Sequence, residues 1–375
     1  MKNKIYIFTF SRSDYSSVRP IIKEVKKSSK QNFKLVVGGS HLSKKFGYTV
    51  KEIIHDKVKI DYKIDYLSQN QKFIDKNSNK IFQNLMKIFS NFLKRKNVKK
   101  IFIIGDRWEL IPLVLSAYNL KIRIIHHSGG DYTFGSKDNF YRTITSVLSD
   151  VHLVGNKIHK KRLELLGIDT KKIFVVGEPS LLNFEKNNKK SKELIIATLY
   201  PSDYEVLNYN YQIKNFLKFL NSLDENVILT SPGSERGSEI FLRMIDKDSK
   251  KNIQFYKNLG SKKYNELMSK AKIMIGNSSS GILEASSYKL PVINIGNRQK
   301  GRLKTKNVID CSFNIKEMNK SYEHVKSNRF LNKIKNITNP YRQNNCVSKI
   351  LNILNKDYII NRNEINQLKD PLNLI

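Results

Sequence analysis

Gly276-Asn277-Ser278-Ser279-Ser280-Gly281-Ile282-Leu283-Glu284-Ala285 places serine hydroxyls and two glycines between an apolar run at residues 272–275 and a helix-like segment. A buried strand, a small-residue loop and a helix in that order form the repeating unit of doubly wound α/β folds. The loop also suits an anion. Glycine lets the backbone approach a diphosphate, serine hydroxyls and free N–H groups donate, and the positive end of a helix favours negative charge. Glu284, one turn further in, can accept both hydroxyls of a ribose. A serine-rich N-cap before a core helix fits the same residues, so both readings stand on this segment alone.

Outward from it, short apolar runs alternate with amphipathic stretches. Residues 4–10, 33–37, 100–104, 122–126, 151–154 and 173–176 read as strands of a buried parallel sheet, with helices between them at 18–27, 81–94 and 108–118. Residues 183–192 break the pattern with charge and no apolar face. Strands then resume at 194–198, 227–230, 253–256, 273–275 and 292–295. The expected fold class is α/β, with two doubly wound Rossmann-like domains over 1–182 and 193–355, a linker at 183–192 and a polar tail at 356–375.

Composition bounds the function. The 375 residues, 39% of them hydrophobic, suffice for two cores, and no stretch is long and apolar enough to span a membrane. Met1-Lys2-Asn3-Lys4 leads straight into a strand, so a cytoplasmic protein without membrane insertion is expected. Cys311 and Cys346 are too few and too far apart for a disulfide framework or a zinc site and read as small buried residues. The net charge of +35 comes mostly from lysine spread over every helix-like segment, with no basic stripe interleaved with aromatics. That distribution reads as solvated surface and argues against a nucleic-acid partner.

In open α/β sheets ligands sit beyond the carboxyl ends of strands. Asp106 follows such a strand through Gly105, and Asp131 and Asp138 follow the next one. Carboxylates gathered there raise one another's pKa, which makes them candidates for proton transfer, although Asp138 equally suits a helix N-cap. Arg12, just after the first strand, can clamp a diphosphate or simply lie exposed. Arg298 and Arg302 follow a strand end and order a loop or form a salt bridge. His126 and His127 are neighbours on a strand, so one is expected in the core and one at the ligand side, in preference to a metal site. The first strand is not followed by Gly-x-Gly-x-x-Gly, and no nicotinamide cofactor is expected.

Several segments combine in one order: Arg12-Ser13-Asp14-Tyr15, Gly39-Ser40-His41-Leu42-Ser43 with 46–52, Gly105-Asp106-Arg107, Gly129-Gly130-Asp131, the serine loop, 294–302, and Asn339-Pro340-Tyr341. Over residues 3–355 the chain resembles the hydrolysing UDP-N-acetylglucosamine 2-epimerases, especially their sialic-acid and legionaminic-acid branch. The resemblance implies a glycosyltransferase-B architecture, two domains facing across a cleft, with the nucleotide held by the second and the last helix, from Val347, packed back on the first. It implies a nucleotide-sugar substrate, no metal or other cofactor, and a homodimer. Asp106, Asp131 and Asp138 match the family's proton-handling groups. Arg12, His41, Arg142, Ser278, Ser279, Ser280, Gly281, Glu284 and Arg298 match its substrate-binding positions.

Three residues depart from that pattern. Asp131 stands where Glu usually follows Gly-Gly, which withdraws the carboxyl by roughly one C–C bond, and about 1 Å matters to positioned catalysis. Tyr200, in Leu199-Tyr200-Pro201, replaces the family's active-site histidine; a phenol donates a hydrogen bond but shuttles protons poorly near neutrality. Phe10 stands where a glycine is usual and narrows backbone access. Three function classes follow: a hydrolysing nucleotide-sugar 2-epimerase, a retaining glycosyltransferase of the same fold, and a basic polyanion-binding protein. The acidic trio favours the first over the second, because a transferase mainly needs diphosphate stabilisation and an acceptor site; fold alone does not separate them.

Overall fold

The computed structural model describes residues 4–27, 33–44, 48–67, 78–134, 138–182, 194–202, 205, 207–232, 237–248, 251–257 and 259–356. Contacts divide the chain into two compact units, one of Met1–Asp131, Lys137–Leu182 and Tyr341–Ile375, the other of Tyr132–Ser136 and Asn183–Pro340.

The first unit is built on β1 (Ile5–Thr9), β2 (Phe33–Gly38), β3 (Tyr62–Ile64), β4 (Lys100–Ile104), β5 (Arg123–His127), β6 (Val151–Val154) and β7 (Ile173–Val175). They lie in the order β3-β2-β1-β4-β5-β6-β7, every pairing parallel. Both faces of the sheet are covered, and the period of two sorts the side chains. Ile5 and Ile7 join a core with Val18, Ile21 and Ile22 of the helix Arg12–Lys27, whereas Tyr6 and Phe8 join Leu85, Phe89 and Leu93 of the helix Ser78–Arg95 on the other face. Burial on both faces is why the strands read as continuous apolar runs.

The second unit repeats the plan with β8 (Leu194–Thr198), β9 (Asn226–Thr230), β10 (Ile253–Tyr256), β11 (Ile273–Gly276), β12 (Val292–Ile295) and β13 (Val308–Cys311), in the parallel order β10-β9-β8-β11-β12-β13. Ile195 and Ala197 pack with Phe216 and Leu220 of the helix Tyr209–Asn221, and Ile196 faces Met268, Ala285 and Leu290.

Several details differ from the sequence reading. β3 and β13 were not anticipated, because each is a short edge strand with a charged residue inside it, Tyr-Lys-Ile and Val-Ile-Asp-Cys. The helix expected after the serine loop is a single α turn, Ser280–Leu283, followed by a 3-10 turn over Ala285–Tyr288. The winding tightens at Glu284, whose carbonyl accepts from the Ser287 N–H at 2.9 Å. With so few aligned peptides the helix dipole contributes little, and hydroxyls and N–H groups must provide the anion's donors.

The C-terminal helix Cys346–Asn355 buries Cys346, Ile350 and Leu354 in the core that contains β1 and β4, and Lys100 Nζ donates to the Leu354 carbonyl at 3.0 Å. The contacts therefore draw the boundary at Pro340, not after residue 355 as expected. The expected linker at 183–192 and the tail from 357 onward lie outside the described residues. Ile350 is fully buried, so Ile350→Ala is expected to destabilise the protein by about 2–5 kcal/mol. Urea unfolding checks this, and a loss below 1 kcal/mol would separate the helix from that core.

Candidate functional site

In the first sheet the strand order reverses between β1 and β4, and in the second between β8 and β11. Ligands of open α/β sheets bind at the carboxyl ends of strands next to such reversals. Arg12 follows β1, Asp106 follows β4 and Asp131 follows β5; in the second unit Tyr200 follows β8, the serines follow β11 and Arg298 follows β12.

In the first unit the carboxylates converge on Arg142, which the helix Asp138–Val147 carries inward with its side chain only 3% exposed. One Nη2 pairs with Asp106. Nη1 donates to the Asp131 carbonyl and to Asn139 Oδ1, both at 2.9 Å. Burial works against the guanidinium charge, but Asp106, Asp131 and Asp138 outweigh it and raise the Arg142 pKa. Asp138 heads its helix, where a negative charge suits the dipole, so its position agrees with a cap as well as with proton transfer. Asp106 keeps 30% of its side chain exposed, leaving a carboxylate edge for a ligand.

The histidines differ from expectation. His126 and His127 are both fully buried, because the loops that follow β4 and β7 close over the end of β5. His126 Nε2 donates to the Gly105 carbonyl at 2.8 Å and Nδ1 faces Ser146 Oγ; His127 Nε2 donates to the Gly177 carbonyl at 2.9 Å and Nδ1 faces Ser128 Oγ. Burial lowers both pKa values to about 4. His41, expected to touch substrate, is also fully buried, its nitrogens taken by Thr9 Oγ1 at 2.9 Å and Thr49 Oγ1 at 2.8 Å. Burial, helped by the Arg107 charge, lowers it to about 3. The neutral His126 ring braces the loop that carries Asp106, His127 braces the chain after β5 and β7, and His41 links Thr9 to Thr49.

Two neighbours of the site also resolve differently. Arg12 opens its helix and is exposed, so it lies on a framed end instead of a free loop. Phe10 turns into the core against Phe8 and Phe89, away from the strand end whose access it was expected to narrow.

In the second unit Gly276 has φ +128°, and a Cβ there would overlap the Thr198 carbonyl, so β11 ends pressed against β8. Asn277, fully buried, then ties the two strand ends together. Its Nδ2 donates to the Tyr200 carbonyl at 2.8 Å and its Oδ1 accepts from the Tyr200 N–H at 2.7 Å. Its own carbonyl accepts from Arg298 Nη1 and Gln299 Nε2 at 3.1 and 2.8 Å, and Arg302 Nη1 donates to Gln299 Oε1 at 2.9 Å. The Arg298 guanidinium lies 4.4 Å over the Tyr200 ring, a cation–π contact.

The serine hydroxyls are pre-ordered: Ser278 Oγ meets Ser280 Oγ at 2.8 Å, and Tyr264 OH meets Ser280 Oγ at 2.7 Å. Burial raises the Tyr264 pKa further, so its phenol stays protonated. Gly281 packs on β12, where a Cβ would sit 3.0 Å from Val292, and Ser278, Ser279 and Glu284 are half-buried around the turn. Asn277, Gln299 and Tyr264 carried no signal beyond composition, since their roles are made by contacts distant in sequence. Among the described residues no group of three His, Cys, Asp or Glu side chains could hold a metal ion.

A family model described as UDP-N-acetylglucosamine 2-epimerase matches residues 23–355. The chain belongs to that family. It is 34% identical over 347 residues to the Campylobacter jejuni GDP/UDP-N,N'-diacetylbacillosamine 2-epimerase (hydrolyzing), covering 88% of this chain and 89% of that one. The Legionella pneumophila UDP-N,N'-diacetylbacillosamine 2-epimerase (hydrolyzing) is 27% identical over 326 residues, covering 83% of this chain and 85% of that one. The Neisseria meningitidis UDP-GlcNAc 2-epimerase, solved bound to UDP-GlcNAc, superposes with a TM-score of 0.78 at 17% identity, covering 94% of this chain and 99% of that one. That likeness establishes the fold, which is of the glycosyltransferase-B type.

The neutral rings of this 2-epimerase set its acid stability. His41, His126, His127 and His152 have folded pKa values of about 3, 4, 4 and 3, below the ordinary 6.5, chiefly through burial. Each therefore contributes stability above about pH 6.5 that is lost as pH falls, at roughly 1.4 kcal/mol per pH unit and proton. Asp14, raised by burial to about 6, acts oppositely, its contribution being lost as pH rises. Glu52, also raised by burial, joins Asp14, and the four histidines against these two carboxyls predict a loss of unfolding free energy from about pH 6.5 to 4. Urea titrations across that range test it, and a flat profile would contradict the neutral rings.

Proposed function

We propose that the chain is a hydrolysing nucleotide-sugar 2-epimerase acting on a nucleoside diphosphate linked to an acetamido sugar, either N-acetylglucosamine or its 4-acetamido-6-deoxy analogue. The observation that carries this reading is the gathering of Asp106, Asp131 and Asp138 around Arg142 beyond the carboxyl ends of β4 and β5. The diacetamido sugar is favoured by what the Campylobacter and Legionella relatives are named for. A nucleotide-sugar substrate suits a cytoplasmic enzyme of the sialic- and legionaminic-acid branch.

In this reaction a carboxylate takes the C2 proton while the C1–O bond to the diphosphate breaks. The C2–H electron pair becomes the C1=C2 double bond of a glycal, and the diphosphate leaves with the C1–O pair. Water then adds, its hydroxyl to C1, and a carboxylic acid returns a proton to the opposite face of C2. Each such proton transfer assisted by a positioned group is worth about 100- to 10,000-fold. Arg298 and the hydroxyls of Ser278, Ser279 and Ser280 suit the departing diphosphate, and Glu284 the ribose hydroxyls. Arg142 keeps the carboxylates apart in role by pairing Asp106 while holding the Asp131 main chain.

Incubation with UDP-N-acetylglucosamine and with the diacetamido sugar nucleotide, followed by NMR, is expected to show free nucleoside diphosphate and a 2-epimerised free sugar in equal amounts. Release that requires a sugar acceptor would identify a glycosyltransferase instead. Asp106→Asn should lower turnover at least about 100-fold yet leave UDP affinity within about twofold, while Glu284→Gln should weaken UDP binding. Calorimetric titration separates the two, and equal losses of affinity would overturn this division of labour.

Tyr200 provides a third test, because its ring face and its hydroxyl offer different roles. If the ring serves as the platform for Arg298, Tyr200→Phe retains UDP affinity, whereas Tyr200→Ala loses about 0.5–2 kcal/mol, or 2- to 30-fold. A loss in Tyr200→Phe as large as in Tyr200→Ala would assign the role to the hydroxyl.

A further inference from the structure

We infer that His159 is a positioning residue for the Asp131 carboxylate, an inference that rests on the proton-handling role proposed for Asp131. His159 lies in the first turn of the helix Lys157–Leu165, whose start is fixed by Asn156 Oδ1 accepting from the Ile158 and His159 N–H groups at 2.9 and 3.0 Å. Its side chain is 2% exposed, yet neither ring nitrogen makes a hydrogen bond. Nε2 stands 3.4 Å from Asp131 Oδ1, the approach of an ion pair a few tenths of an ångström short of a well-formed hydrogen bond.

Packing permits the ring little other direction. On one side the Asp131 loop is pressed against the helix: Gly130 has φ +74°, a Cβ there would overlap the His159 carbonyl, and Arg162 Nη1 donates to the Gly130 carbonyl at 3.3 Å. On the other side lies the fully buried Tyr341 ring, 5.7 Å away between centroids, its carbonyl accepting from the Glu178 N–H at 2.8 Å. Tyr341 thus backs the histidine that faces the carboxylate. Arg142 fixes the Asp131 main chain through its carbonyl, and His159 faces its side chain.

The shorter arm of Asp131 gives this contact its task. With a single methylene, the aspartate carboxyl sits close to its own backbone, where His159 Nε2 reaches to 3.4 Å of it. Standing 3.4 Å from Oδ1, Nε2 limits the orientations open to the carboxylate. The imidazole does not itself touch the reacting atoms.

Turnover and ring-nitrogen NMR of variants test the inference. His159→Phe keeps a ring against Tyr341 and removes the donor; it is expected to lower kcat about 10- to 100-fold with KM within about twofold. His159→Gln, whose amide nitrogen replaces Nε2, should recover most of that loss. In the Asp131→Asn background His159→Phe should cost nothing further. Where His159→Phe does not fold, His159→Asn takes its place, since its amide ends short of Asp131. An unchanged kcat, a rise in KM alone, no rescue by glutamine, or the same fold-loss in both backgrounds overturns the inference. Should the wild type turn over neither sugar nucleotide, the proposed function fails, and the contact is judged on the His159 ring 15N signals: displacement of Nε2 on Asp131→Asn supports it, and unchanged signals overturn it.

Discussion

The buried guanidinium of Arg142 is the constraint on which the carboxylate cluster depends. A charge taken out of water at this depth is tolerated only with partners, and removing one partner of such a pair commonly costs about 3–5 kcal/mol. Asp106 satisfies the charge, while the Asp131 carbonyl and Asn139 satisfy the remaining geometry. The helix Asp138–Val147 must therefore dock in one register, and that register brings β4 and β5 loop carboxylates to a common centre. The same pairing keeps the acids from repelling one another, a condition for holding several carboxylates in a half-buried place.

The second unit solves a different problem by backbone approach. Gly276 brings the end of β11 against β8, Asn277 stitches the two ends by reciprocal hydrogen bonds, and its carbonyl gathers Arg298 and Gln299. A chain with only one α turn after its serine loop relies on hydroxyls and guanidinium more than on a dipole. Tyr200 belongs to this arrangement through its main chain and its ring face, a role open to a phenol that has no need of an imidazole's titration.

Histidine in this protein is mainly a neutral hydrogen-bonding brace. His126 and His127 each use a ring N–H on a loop carbonyl, and His41 bridges two threonines. Desolvation keeps all three uncharged at neutral pH. His159 differs because neither of its ring nitrogens makes a hydrogen bond while the Asp131 carboxylate stands 3.4 Å from Nε2, and that contrast in environment, not residue type, separates bracing from positioning.

The sequence by itself determined the α/β class, two parallel sheets, most strand positions and the family, because strands buried on both faces write continuous apolar runs and because glycine- and serine-rich loops follow them in a fixed order. It also marked Asp106, Asp131, Arg298 and the serine loop, since each stands in a loop that follows a strand, and Asp138 at the start of the next helix. Edge strands β3 and β13 escaped, being half-polar, and the C-terminal helix was allotted to the first domain only through the family resemblance, because an amphipathic pattern states that a face is buried without naming its partner. Only the tertiary structure decided that His41, His126 and His127 are closed off, that Tyr200 meets Arg298 and that His159 meets Asp131. Those outcomes depend on burial and on contacts between residues far apart in the chain, which no local periodicity encodes.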